Sequence, residues 1–174
     1  MSNKEKKSET DIEISFPSVN FGGATASGGT KEAQSMMGEL VNESWSPFVD
    51  CDRWIPFMFC CAYGFAKKLT RKRPPGQGSL PAKVFLQNTR FLMRAIAIAE
   101  TNSLDIIKKP NGKDGYVYIC EDYAYAALEK VYKRLSTRDD GAESTVERVM
   151  DKMISEIQSE QNPSQKVENE NMQD

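Results

Sequence analysis

Tyr116-Val117-Tyr118-Ile119-Cys120-Glu121-Asp122-Tyr123-Ala124-Tyr125-Ala126-Ala127-Leu128-Glu129-Lys130-Val131-Tyr132-Lys133-Arg134-Leu135 is the stretch that decides the fold. Within it Tyr116, Ile119, Cys120, Tyr123, Ala127, Leu128, Val131 and Leu135 recur at helical spacing. That pattern places them on one face of an α-helix about 30 Å long. A stripe this wide cannot face water, so other elements must cover it. The preceding run Lys109-Pro110-Asn111-Gly112-Lys113-Asp114-Gly115 is a turn, because its proline and glycines end any helix that reaches it.

Two helices are expected to supply the cover. Asp50 or Asp52 caps one that runs to about Leu69, with Pro56 tolerated in its first turn. Trp54, Ile55, Phe57, Met58, Phe59, Tyr63 and Phe65 make it apolar on every side, the mark of a helix at the centre of a bundle. The second starts at its cap, Asn88, and is expected to bury Phe91, Leu92, Ala95, Ile96 and Ala99 before ending at Thr101. Ser103 then caps a short helical turn from Leu104 to Lys108.

Further out, Thr30 caps a short helix whose apolar side is Met36, Met37, Leu40 and Val41, followed by a turn at Ser46-Pro47-Phe48. Beyond the long helix, Thr145 starts a last one. Its apolar face is Val146, Val149, Met150, Met153, Ile154 and Ile157, opposite Glu147, Asp151 and Glu156. The fold class is therefore all-α, a small helical bundle with a flexible N-terminal leader and a disordered acidic C-terminal tail. Residues 1–29 form the leader, 30–44 a short docking helix, 45–138 a basic helical core domain, 139–158 an acidic amphipathic helix and 159–174 the tail. The Gly-rich run 22–29 has no preceding strand and no following Lys-Ser pair, so it reads as a linker and not as a phosphate loop.

Charge is segregated along the chain. The net value is -2, but residues 45–138 hold 16 Lys and Arg against 8 Asp and Glu, while 139–174 hold 3 against 10. A basic body flanked by acidic arms suits an anionic partner. Lys67, Lys68, Arg71, Lys72 and Arg73, with Lys83, Arg90 and Arg94 further on, are the candidate phosphate contacts. Pro74, Pro75 and Gly76 force the first five to the surface, so replacing Arg71, Lys72 and Arg73 with Ala is expected to spare the fold and weaken binding. Cations at a helix end also favour the dipole without any ligand. The acidic C-terminal segment is expected to fold back on the basic surface and compete with phosphate.

Catalysis finds little support. The chain has no His, and Glu100, Asp105, Glu121 and Asp122 lack the spacing of a metal or acid–base pair, so no cofactor or metal is expected. Glu100 more naturally pairs with a core Arg or Lys. Cys51, Cys60, Cys61 and Cys120 include no C-x2-C pair and read as small buried residues, reduced in a cytoplasmic protein that carries no export signal and no membrane span. Tyr116, Tyr118, Tyr123, Tyr125 and Tyr132 could stack on bases, but their place on or beside the apolar stripe favours the core.

Three segments carry a family resemblance: Met58-Phe59-Cys60-Cys61-Ala62-Tyr63-Gly64-Phe65, Ala97-Ile98-Ala99-Glu100-Thr101, and Ile119-Cys120-Glu121-Asp122-Tyr123-Ala124 with Leu128-Glu129. In order and spacing, over about residues 47–135, they resemble the family found beside bacterial DNA phosphorothioation (Dnd) genes and called Dnd system-associated protein four. The resemblance implies a setting in DNA modification, restriction and phage defence, and it supplies no catalytic residues. The expected function is a non-catalytic accessory subunit that contacts DNA, or a DNA-bound complex of other subunits, through its basic surface. The alternative is a protein-only adaptor that docks an acidic partner.

Overall fold

A computed structural model describes residues 18–22, 32–75, 79–110, 112, 115–137 and 146–161. Its elements run β1 (Ser18–Asn20), α1 (Ala33–Asn42), α2 (Trp54–Ala66), β2 (Ser79–Pro81), α3 (Gln87–Thr101), α4 (Tyr116–Ser136) and α5 (Val146–Gln161). Two 3-10 turns, Ala82–Val84 and Leu104–Lys108, flank α3. The all-α class holds, and the bundle forms around α4, against which α1, α2, α3 and α5 all pack. Most of the leader and the end of the tail lie outside the described residues, as do Thr30 and Thr145, the two caps expected there.

The α4 stripe is buried in full, from Tyr116 to Leu135. Val117, Ala124 and Glu121 join it, so the helix is covered on more than one side. Its main partner is α2, which buries Phe57, Met58, Cys60, Cys61 and Tyr63 and leaves Trp54, Ile55, Phe59 and Phe65 half-buried around the same core. Gly64 sits where the two helices meet. A Cβ there would lie 2.6 Å from the Tyr123 carbonyl oxygen, so only glycine permits this approach. Ser46 fastens the end of α1, donating its hydroxyl to Leu40 O at 2.5 Å and accepting from the Phe48 N–H at 3.1 Å.

The structure corrects the reading of α3. Phe91, Leu92, Ala95 and Ala99 were expected inside; Met93, Ile96 and Ala97 are the buried residues, and the first four are exposed. The helix also begins earlier, at Gln87, with Leu86 and not Asn88 at the cap. Two apolar stripes compete on this helix, and the inner one is bordered by Arg90 and Glu100. Both find polar partners within the fold, so the charged border costs little to cover.

A two-stranded antiparallel sheet, with Val19 opposite Leu80, had no counterpart in the sequence reading. Strands of three residues are too short to show alternation. Val19, Phe21 and Leu80 are nonetheless buried, so this part of the leader belongs to the core. In α5, Met153 is fully buried and Ile157 packs against the core, while Ile154 is 44% exposed, so the apolar face is narrower than expected.

Candidate functional site

The basic loop begins where α2 stops. Leu69 N–H donates to Gly64 O and Lys68 N–H to Phe65 O, both at 2.9 Å, with Lys68 in the left-handed region at φ 48°. This is the paired closure of a Schellman motif, in which glycine is the usual residue at the position Lys68 holds. The chain then crosses α4, where Lys72 N–H donates to Asp122 O at 3.3 Å and Pro74 is buried.

Carboxylates seat three of the five loop cations. Arg73 donates to Asp122 Oδ1 at 3.0 Å and to Glu121 Oε2, and its guanidinium lies 3.6 Å from the Tyr118 ring centroid. Glu121 is buried on the face of α4 and also accepts from the Asn20 N–H at 2.6 Å, which ties β1 to the same point. Arg71 Nε lies 3.6 Å from Glu100 Oε1, and Tyr123 donates its hydroxyl to Glu100 Oε2 at 2.6 Å. Lys67 lies 4.0 Å from Glu156 of α5, which in turn accepts two hydrogen bonds from Arg134, at 2.7 and 2.5 Å. Glu100 thus pairs as its sequence position suggested.

The electrostatics follow from these contacts. Burial raises the Glu121 pKa by more than the Asn20 N–H and the Arg73 charge lower it. Burial opposes the charge on Arg73, but Glu121 and Asp122 outweigh it and raise that pKa. Burial and the Glu100 carboxylate raise the Tyr123 phenol, which keeps its proton and donates. Arg134 holds Glu156 below the ordinary glutamate range.

The candidate phosphate contacts therefore divide. Lys68, Lys72 and Lys83 are exposed. Lys67, Arg71 and Arg73 pair with carboxylates of α5, α3 and α4, so replacing the loop arginines is now expected to cost some stability. Arg90 donates to Phe85 O at 2.9 Å and Ala82 O at 3.2 Å, closing the turn that leads into α3. Arg94 is half-buried, its guanidinium 5.6 Å from the Tyr116 ring. The acidic arm reaches the basic surface through Glu156, but residues 162–174 lie outside the described residues. Among the described residues no group of three or more His, Cys, Asp or Glu side chains could hold a metal, and no helix is long and apolar enough to cross a membrane.

The family model for DNA sulphur modification system-associated protein 4 matches residues 30–172. The chain belongs to that family. A search of the curated proteins and of the solved structures finds no match. The matched range runs from before α1 to beyond α5, wider than the core that carried the resemblance, so both flanking helices are part of the family pattern. It includes every carboxylate that seats the loop but not β1, so the bond from Asn20 to Glu121 starts outside it.

Proposed function

We propose that the protein is a non-catalytic accessory subunit of a bacterial DNA modification and restriction system, active in the cytoplasm in phage defence. Its basic core contacts DNA or a DNA-bound complex of the system's other components. The charge surplus of residues 45–138 is the observation that carries this reading, since it persists after the internal ion pairs and leaves Lys68, Lys72 and Lys83 exposed. The seating of Lys67, Arg71 and Arg73 on carboxylates favours a second reading, a protein adaptor that never touches nucleic acid, because those cations are already neutralised.

Salt dependence separates the two. If DNA is contacted, replacing Lys68, Lys72 and Lys83 with Ala flattens the slope of log affinity against log salt by up to about 2.7, at about 0.9 per phosphate. The fold is expected to persist, because none of these side chains is seated. If the triple variant keeps the wild-type slope and still retrieves the other components of the modification system, the adaptor reading stands in its place.

A further inference from the structure

Asn88, Phe91, Leu92, Ala95, Ala99 and Asn102 fall on one side of α3 and its cap, and all are exposed, Phe91 at 55% and Leu92 at 48%. The helix packs on α4, α2 and the Leu104–Lys108 turn through its opposite side, where Met93, Ile96 and Ala97 are buried. A contiguous apolar face on a single chain marks an interaction site.

We propose that this face docks a second copy of the chain, α3 against α3 in antiparallel. The stripe is self-complementary about a two-fold axis at Ala95. The axis sets Phe91 of each copy opposite Ala99 of the other, a large side chain against a small one, and sets Asn88 opposite Asn102, whose amides can donate and accept between copies. Ala95 then meets itself, which allows the helices to approach to about 8 Å.

Charge points to the same occupant. No ionisable side chain lies on the stripe, so two copies do not repel, and neither a phosphate backbone nor an acidic protein surface finds an opposite charge there. Of the nearest cations, Arg90 is held by the Phe85 and Ala82 carbonyl oxygens, and Arg94 lies at the edge of the stripe between two rings, 5.6 Å from the Tyr116 centroid and 5.8 Å from that of Phe91.

Area sets the strength. A standard interface takes about 800 Å² from each partner. Phe91 supplies about 100 Å² of the roughly 150–250 Å² an aromatic side chain carries, and the whole stripe reaches about half the standard figure. The dimer is therefore weak and concentration-dependent.

Sedimentation of the full chain over a concentration series tests this. The average mass rises towards twofold with concentration, whereas Ala95→Arg, which sets two cations against each other on the axis, stays monomeric with an unchanged melting temperature. A cross-linking pair reads the symmetry in a Cys51→Ser background, since the other native thiols are buried. Under mild oxidation Ala95→Cys links to its own copy, and Ala99→Cys, which faces Phe91, does not. A wild-type chain monomeric at every concentration, a dimer indifferent to Ala95→Arg, or equal cross-linking at positions 95 and 99 overturns the proposal. None of these outcomes depends on whether the core contacts DNA.

Discussion

Between Lys67 and Arg73 five cations follow the end of α2, and three of them rest on carboxylates from α3, α4 and α5. Along the outer side of α3 no charge occurs, and Phe91 and Leu92 face solvent. The loop has charge that is spent on the fold, and the helix face has apolar surface that the fold leaves over. Charge density alone therefore does not tell which cations the fold already uses and which it leaves exposed.

Removing one side chain from each region has very different expected effects. Glu121→Ala deletes a buried carboxylate and strands both the Asn20 N–H and the Arg73 guanidinium. Arg73 keeps partial access to water, which reduces the penalty, so the expected loss is about 2–3 kcal/mol in urea unfolding. Phe91→Ala removes a larger side chain but one already in solvent, and should change stability by no more than about 0.5 kcal/mol. Equal losses at the two positions would mean that the loop is not braced or that the α3 face is covered.

Acid separates two of the seats from each other. The Glu121 pKa is raised above its ordinary value of 4.5, so its contribution is full below that pH and is lost as pH rises through the folded-state value. Glu156 is lowered from the same value, so its contribution is present above pH 4.5 and is lost as pH falls through the folded-state value. Measured against Glu121→Gln, the wild-type advantage should shrink from acid towards neutral pH. Against Glu156→Gln it should grow over the same change, by a smaller amount because that pair is solvated. Parallel profiles would show that the two carboxylates do not sit in opposite environments.

How much of this was legible depended on distance along the chain. The α4 stripe could be read because its eight buried positions repeat locally and only one face is uniformly apolar. The α3 face could not, because local pattern cannot choose between two apolar stripes when partners elsewhere let Arg90 and Glu100 border the core. The candidate cations were legible as charge but not as pairs. Arg73 meets Glu121 across 48 residues, and Asn20 meets it across 101. The short β1–β2 pairing falls below any periodic signal, and only the burial of Val19 and Phe21 shows that it matters.

The smallest effect has the opposite sign. Lys68 holds the left-handed position of the α2 closure at φ 48°, where a side chain costs about 1 kcal/mol. Lys68→Gly removes that strain but gives the unfolded chain more freedom, so the net gain is on the order of 0.5 kcal/mol. The same change deletes an exposed cation next to the seated ones. If Lys68 touches phosphate, the variant is more stable and its salt slope is flatter by about 0.9, so folding and binding move in opposite directions. If the adaptor reading holds, stability rises alone. A fall in melting temperature would mean that the Lys68 side chain braces the loop as Lys67, Arg71 and Arg73 do, and the division between seated and exposed cations would then fail at the residue where it is easiest to test.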